Sequence, residues 1–130
     1  MWKKRIDGGE EVQLTRQGGT AAFESVDGKV LYYSKGFSAT SLWKVPAEGG
    51  EETQILESLN WSCNFAVAKH GIYFTPKTNP KVGTPIQFFN FGTKEIKTIT
   101  IVKNVYQDGL SVSPDAQWII YGQKISSGVT

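Results

Sequence analysis

The stretch Trp43–Leu56, WKVPAEGGEETQIL, has a near copy at Trp2–Thr15, WKKRIDGGEEVQLT. Both copies begin with a tryptophan and a lysine, pass through a Gly-Gly pair, and continue into a short apolar segment. The copies lie 41 residues apart, so the sequence contains an internal repeat of about that period. Because Gly-Gly between two short apolar segments indicates a tight turn, each copy is predicted to form a β-hairpin.

A second element of the repeat lies between these hairpins. Ser25–Ser34, SVDGKVLYYS, matches Ser113–Gly122, SPDAQWIIYG, and 68–75 is a weaker copy. Three aromatic residues mark one position of this element: Tyr33, Phe74 and Tyr121.

The tryptophan position has a third occurrence, which we align with Phe89, 46 residues after Trp43. The loop 77–85, KTNPKVGTP, accounts for the longer step, because its Pro and Gly content is typical of an insertion between strands. We expect Trp2, Trp43 and Phe89 to anchor the packing of the repeats.

The apolar segments predict strands rather than helices. They are four to seven residues long, rich in β-branched and aromatic residues, and bounded by Gly, Pro, Asp and Asn. Twelve strands are predicted, at 2–6, 11–15, 21–25, 30–35, 41–46, 52–57, 63–67, 71–76, 86–91, 95–101, 108–113 and 117–123.

Twelve strands over three repeats give four strands per repeat, and about 40 to 45 residues is the period of a β-propeller blade. The sequence therefore predicts an all-β fold class: a β-propeller of four-stranded antiparallel blades. One chain carries three blades' worth of strands, which is half of a six-bladed propeller. A twelve-stranded sandwich is the alternative, although it does not require the sequence to repeat.

Two units resemble the TolB-type propeller repeat, a relative of the WD repeat: 42–50, LWKVPAEGG, and 113–121, SPDAQWIIY. The resemblance covers nearly the whole chain. The repeats are similar in particular to the C-terminal propeller sections of acidobacterial-type regulators. It implies a propeller, and it carries over no catalytic residue because the motif is structural. The sequence departs from the pattern at 68–71, which lacks Ser-Pro-Asp-Gly, and at Ala116, where Gly is usual.

The resemblance also implies where each blade begins. In the TolB-type pattern the Ser-Pro-Asp-Gly turn joins the first and second strands, counted from the central channel, and the tryptophan hairpin forms the third and fourth. We therefore expect a half-blade at 1–19, whole blades at 20–59 and 60–105, and a half-blade at 106–130.

The two half-blades together make one blade, which predicts how the ring closes. A ring of three blades falls below the four to eight that propellers typically use. We expect a two-fold homodimer that closes a six-bladed ring by half-blade exchange. The alternative is that the chain is a piece of a longer propeller.

A binding site is expected at the end of the blades where the connections vary in length, because binding residues prefer irregular loops on a rigid scaffold. The candidate ligand-binding residues are Phe37, Asn60, Trp61, Asn79, Tyr106 and Gln107. Their aromatic rings can stack on a planar or sugar ligand. The alternative is that Trp61 and Tyr106 pack the inner strands.

Composition and residue types argue against several other functions. The net charge of +2 and the short basic run Lys3–Arg5 predict no nucleic-acid or membrane partner. The single histidine, His70, and the single cysteine, Cys63, cannot supply a metal site. We expect these two residues at opposite ends of a hairpin, so no catalytic residue, metal or cofactor is predicted.

Two further features bear on chemistry and location. Asp27 and Asp115 occupy the same position of the repeat, which favours turn formation over a catalytic carboxylate pair. No segment has the apolar length of a membrane helix or the pattern of a signal peptide. The sequence does not determine the cellular compartment.

Two functions from different classes are compatible with these patterns. The first is a non-enzymatic propeller module, a ligand-sensing or protein-interaction scaffold within or related to a larger regulator. The second is the gating propeller of a prolyl-oligopeptidase-like peptidase, whose catalytic domain would lie outside this chain. The neighbouring coding sequence would separate the two.

Overall fold

The computed structural model of the chain describes residues 1–103 and 105–123, and it leaves the side chains of 39, 80 and 105–108 outside the description. Within this part the chain forms twelve strands and one short 3-10 helix at Pro80–Val82. The strands are β1 (Trp2–Lys3), β2 (Val12–Gln13), β3 (Ala22–Glu24), β4 (Val30–Lys35), β5 (Ala39–Pro46), β6 (Thr53–Asn60), β7 (Phe65–Val67), β8 (Gly71–Phe74), β9 (Thr84–Asn90), β10 (Ile96–Val102), β11 (Val105–Val112) and β12 (Ile119–Gln123).

The strands form four antiparallel sheets in chain order. Strands β3 to β6 make one four-stranded sheet, the first blade, and β7 to β10 make another, the second blade. Two-stranded sheets flank them: β1 with β2, the N-terminal pair, and β11 with β12, the C-terminal pair. The predicted all-β class with four-stranded antiparallel blades is confirmed.

Short hairpins explain this simple order. Within each sheet every strand pairs with the next strand along the chain, which is the local connection that antiparallel strands allow. Gly49 and Gly50 in the turn between β5 and β6 have φ of 90° and 138°, and Gly8 and Gly9 repeat that conformation at 107° and 110°. Glycine adopts such angles at no steric cost, so the two Gly-Gly copies form equivalent turns.

The register of the strands corrects one detail of the sequence alignment. Tyr33 lies opposite Trp43 in the first blade, and Phe74 lies opposite Gln87 in the second. The counterpart of Trp43 is therefore Gln87, and the predicted alignment with Phe89 is wrong by two residues. A shift of two keeps a side chain on the same face of its strand, so the apolar alternation could not reveal the error.

The main core lies between the two blades. Its buried members are Tyr32, Leu42, Leu56 and Leu59 from the first blade and Phe65, Ile72, Phe74 and Phe89 from the second. Phe91 stacks on Tyr32 at the edge of this core, with ring centroids 5.4 Å apart and an angle of 11° between the rings. A smaller cluster of Ile86, Val102 and Leu110 joins the second blade to the C-terminal pair.

The three expected anchors behave differently from one another. Phe89 is buried in the core, as expected. Trp2, by contrast, is 62% exposed, and Trp43 lies partly exposed beneath the ammonium group of Lys35, 3.7 Å from its ring. Trp43 therefore makes a cation–π contact at the surface rather than filling the core.

The inner edges of the sheets face a common space. β3 packs against β7, and β7 packs against β11. A groove of about 230 Å³ runs along these three strands, and Phe23 and Phe65 meet there edge to face at 5.2 Å. Across the described residues, none of the helical structure is long and apolar enough to cross a bilayer.

Candidate functional site

The connections of the sheets divide between two ends. The turns within hairpins β3–β4, β5–β6, β7–β8 and β9–β10 collect at one end, and the links β4–β5, β6–β7 and β8–β9 collect at the other. The second end holds loops of three to nine residues, 36–38, 61–64 and 75–83. It is the end at which the sequence predicted a site, and we call it the variable-loop end.

Three of the predicted residues meet at this end. Asn60, the last residue of β6, pairs with the first residue of β5, and the backbone N–H of Trp61 donates to the carbonyl of Ser38 at 3.2 Å. Phe37 immediately precedes that carbonyl and is 72% exposed. The link 36–38 and the start of the link 61–64 are therefore tied side by side, with an aromatic residue on each.

Trp61 has a backbone conformation that is unusual for a bulky residue. Its φ is 66°, in the left-handed region, where residues other than glycine are disfavoured. Strain of this kind persists only where the surrounding structure enforces it, and it clusters at functional sites. Two backbone bonds flank the position: Asn64 N–H donates to Trp61 at 3.3 Å, and Asn60 N–H donates to Thr75 at 2.8 Å.

Asn79 belongs to a separate loop of the same end. Its side-chain oxygen accepts from the backbone N–H of Lys81 at 3.0 Å and so caps the 3-10 helix. The loop is attached to the first blade because the N–H of Lys77 donates to the hydroxyl of Ser58 at 3.0 Å. Asn79 therefore has a structural role in this loop, and no contact brings it to Phe37 within the described residues.

The last two predicted residues, Tyr106 and Gln107, fall on β11. Their side chains lie outside the described part of the structure. A neighbouring cleft of about 350 Å³ at the same end was not predicted from the sequence. It is lined by Lys35, Thr40, Ser41, Gln54, Glu57, Ser58, Leu59 and Lys77.

Sequence reasoning also missed a polar cluster on the first blade. The hydroxyl of Tyr33 donates to Glu52, whose carboxylate lies 3.3 Å from the ammonium group of Lys35. The backbone N–H of Arg16 donates to the same carboxylate at 3.1 Å. Lys35 and Glu52 are 17 residues apart in the sequence and come together only through the pairing of strands in the sheet. The sequence therefore offered only a weak signal for this cluster, namely a Lys and a Glu near strand ends.

These contacts shift the pKa values of the Glu52 carboxyl and the Tyr33 phenol. The hydrogen bond from Tyr33 is the main cause that lowers the pKa of Glu52, followed by the Arg16 N–H and by Lys35. Burial is the main cause that raises the pKa of Tyr33, and the hydrogen bond to Glu52 raises it further. The carboxylate therefore stays ionised and the phenol stays protonated at neutral pH, which suits a structural bond.

Asp27 and Asp115 form equivalent turns. Asp27 accepts from the Ser25 hydroxyl at 2.6 Å and from the N–H of Lys29 at 3.0 Å. Asp115 repeats both bonds, to the Ser113 hydroxyl at 2.5 Å and to the N–H of Gln117 at 3.1 Å. These bonds lower the pKa of each carboxyl, with the serine hydroxyl as the largest cause. The predicted turn role of the two aspartates is confirmed.

Cys63 and His70 are separated along one hairpin. Cys63 lies in the link before β7, at the variable-loop end, and His70 lies in the turn that follows β7, at the opposite end. The strand between them prevents the contact that a nucleophile and its base require. Among the described residues, no group of three His, Cys, Asp or Glu side chains converges on a possible metal position.

A solved structure assigned as TolB from Agrobacterium tumefaciens superimposes on 94% of the chain with a TM-score of 0.68, at 17% sequence identity. The chain has a TolB-type propeller fold. This likeness confirms the expected resemblance and fold class, and at this identity it reports on the fold alone.

The chain spans less than half of the Agrobacterium protein, since the match covers 46% of that protein. TolB from Acinetobacter baumannii is 14% identical over 98% of the chain and 43% of that protein, with a TM-score of 0.48. No protein-family model matches the sequence, and no curated protein matches it significantly.

Proposed function

We propose that the chain is a non-enzymatic propeller module that binds a segment of a partner protein at the variable-loop end. The observation that carries this proposal is the exposed Phe37, whose loop is tied to the left-handed Trp61 by the backbone bond between Trp61 and Ser38. Aromatic residues are enriched where proteins meet, because they bury a large apolar area and lose little side-chain freedom.

The scaffold beneath these residues suits such a role. β5 and β6 are both eight residues long, and their pairing extends to Ala39 and Asn60 at the variable-loop end. The loops that carry Phe37 and Trp61 therefore start from a part of the first blade in which the strands are paired. The cleft of about 350 Å³ opens on the same blade, and most of the side chains that line it are polar or charged, among them Gln54, Glu57 and Lys77. An apolar anchor surrounded by polar groups is the usual composition of a recognition site.

The proposal includes a role as the sensing or docking part of a larger regulatory protein. Support for this finer role comes from the resemblance of the repeats to propeller sections of larger regulators. The partner is expected to supply an apolar or aromatic side chain to Phe37 and backbone groups to the loop edges.

A peptide selection tests the site directly. A random peptide library is selected on the 130-residue chain, and the enriched peptides are titrated against the chain and two variants. Phe37→Ser is expected to weaken binding at least tenfold, as the loss of an anchor residue does. Val82→Ser is the matched control, because Val82 is 73% exposed and lies in the loop 75–83 of the same end.

Nuclear magnetic resonance then locates the bound peptide. Shifts are expected in the amide signals of 36–38 and 60–62. Selection that enriches nothing over a scrambled library would contradict the proposal, and so would peptides that bind Phe37→Ser and the parent chain equally well.

A further inference from the structure

The junction between the two blades supplies a template for a second junction, which would form between the N-terminal and C-terminal pairs and the complete blades. In that junction Tyr32 of β4 contacts Phe91, the residue just beyond β9, and both are at least partly buried. Tyr32 lies on the second strand of its blade, and Phe91 follows the third strand of the next blade. The N-terminal and C-terminal pairs have two strands each and belong to separate sheets among the described residues.

The N-terminal pair is the structural counterpart of strands β5 and β6. Trp2 lies opposite Gln13, as Trp43 lies opposite Gln54. The following turns also match: the Gly8 N–H donates to the carbonyl three residues earlier at 3.2 Å, and the Gly49 N–H does so at 2.8 Å.

The C-terminal pair is the counterpart of strands β3 and β4. Leu110 lies opposite Tyr121, as Ala22 lies opposite Tyr33. The turn bonds made by Asp115 repeat those of Asp27. Because β4 pairs with β5 in the first blade, β12 is built to pair with a strand like β1. The register of the first blade then places Tyr121 opposite Trp2.

Each pair exposes side chains that the complete blades bury. Tyr121 is 39% exposed, whereas its counterparts Tyr33 and Phe74 are 0% and 2% exposed. Ile120, the counterpart of Tyr32, is 63% exposed, and Ile6 is fully exposed. A row of apolar residues beside an unpaired strand edge favours association with another strand.

A cleft of about 260 Å³ between the N-terminal pair and the first blade fits Ile120. Ala47 and Leu31 line this cleft. By register, Ala47 corresponds to Phe91 of the second blade, and Leu31 corresponds to Ile72. Phe91 and Ile72 pack in the same cluster as Tyr32. The cleft therefore lies where the counterpart of Tyr32, Ile120, would pack.

A second cleft, of about 540 Å³, lies between the second blade and the C-terminal pair and fits Ile6. Tyr73 and Phe88 form part of its wall, with ring centroids 4.7 Å apart. Tyr73 is the counterpart of Tyr32, and Ile6 is the counterpart of Phe91, which stacks on Tyr32 in the complete junction.

We propose that two copies of this chain pair β12 of one with β1 of the other, with Tyr121 opposite Trp2 and Ile120 opposite Lys3. Ile120 of each copy enters the smaller cleft of its partner, and Ile6 enters the larger one. The product is a two-fold dimer with two shared blades and a six-bladed ring, which lies within the usual range of four to eight. This proposal is independent of the binding site at the variable-loop end.

A substitution at Lys4 tests the register because it is expected to strengthen the dimer. Lys4 falls opposite Ile119 in this pairing, at the position that Val45 occupies in the first blade. Val45 is fully buried, so a lysine there weakens the contact and must extend its ammonium group to solvent. Lys4→Val is expected to lower the dimer dissociation constant severalfold, and Lys29→Val, in an exposed turn, is expected to leave it unchanged.

Sedimentation equilibrium at micromolar concentration measures the assembly. The expected mass is twice the 14.4 kDa of one chain. Ile120→Asp is expected to give single chains with an unchanged circular dichroism spectrum, because Ile120 is exposed within one chain. A parent chain that sediments at 14.4 kDa overturns the proposal, whether it is a self-closed ring or a piece that needs a longer protein.

Cysteine cross-linking tests the register between chains. In a Cys63→Ser background, a Trp2→Cys chain is mixed with a Tyr121→Cys chain, and a Lys3→Cys chain with an Ile120→Cys chain. Opposite residues alternate between closer and wider pairs, so at least one mixture should form a two-chain disulfide on mild oxidation. The mixture of Trp2→Cys with Ile120→Cys is one residue out of register, and equal cross-linking there would overturn the proposed pairing.

Discussion

The junction between the two blades and the junction between the N-terminal pair and the first blade use the same repeat positions in different ways. Between the blades the contacts are apolar, with Phe74 and Phe89 buried and Tyr32 stacked on Phe91. At the N-terminal pair the contacts are mainly polar. Lys3 donates to the carbonyl of Ala47 at 2.7 Å, and the linker after β2 is bonded to the first blade through Glu52.

This difference shows how a repeat protein distributes stability. A blade with four strands offers broad apolar faces on both sides, so its neighbours bury large side chains against it. A two-stranded pair is marginal by itself and covers less area. It is held by a few directed bonds, and it leaves Trp2 and Ile6 exposed. The polar junction should therefore depend on charge and pH, whereas the apolar one should depend on volume.

The largest effect is expected from a cavity in the apolar junction. Phe74→Ala removes a ring that is 2% exposed, and such truncations cost about 3–5 kcal/mol in the free energy of unfolding. Tyr121→Ala is the control at the same repeat position, where the ring is 39% exposed, and about 1 kcal/mol is expected. Urea denaturation of both variants at low protein concentration measures the difference. Equal losses would show that Phe74 in the apolar junction is packed no better than the partly exposed Tyr121 of the C-terminal pair.

A smaller effect is expected in the polar junction. Glu52→Gln keeps the shape of the side chain and removes the charge that Tyr33, Lys35 and the Arg16 N–H share. Losing charge-assisted hydrogen bonds costs about 1–3 kcal/mol, measured by urea denaturation at pH 7. Glu51→Gln is the control, because Glu51 is exposed and makes none of these bonds.

The pH dependence of that effect has a definite sign. Glu52 has a lowered pKa in the folded chain, so its contribution is present above its ordinary value of 4.5 and is lost as the pH falls through the folded pKa. The gap in unfolding free energy between the parent chain and Glu52→Gln should therefore narrow on acidification below about pH 4.5. A gap that stays constant down to acid unfolding would contradict the role of the charge.

The smallest effect concerns the turns that begin the β4 and β12 strands. Gly28 and Ala116 occupy the same left-handed position, with φ of 72° and 57°. Because alanine is disfavoured there, Ala116→Gly should stabilise the C-terminal pair and Gly28→Ala should destabilise the first blade, each by about 1 kcal/mol. Hydrogen exchange of the amides in β4 and β12 measures both changes. Changes of the same sign in the two turns would show that the turns are not equivalent.

The sequence supported the fold well because its signals are local. Gly-Gly turns, Ser-x-Asp turns and short apolar segments are each read within about ten residues, and antiparallel hairpins join neighbours along the chain. The same locality limited the alignment of Phe89, since a shift of two residues preserves the face of the strand. Local signals also could not predict the contact between Lys35 and Trp43, because these residues lie on two paired strands.

The candidate site was predicted in part. Loop variability located the end of the blades, and the structure places Phe37, Asn60 and Trp61 together there. No sequence pattern indicated that Asn79 would cap a 3-10 helix in a loop of its own. Nor did any pattern indicate the left-handed backbone at Trp61, because such a conformation is imposed by the surrounding bonds rather than by residue type.

The sequence by itself determined the repeat, the strand content and the turn chemistry, because each depends on residues that are close along the chain. Only the tertiary structure decided which faces of the blades are buried, which residue opposes Trp43, and how Tyr33, Lys35 and Glu52 come together. These properties depend on pairing between strands, where the free energy comes from surfaces that the sequence order does not specify.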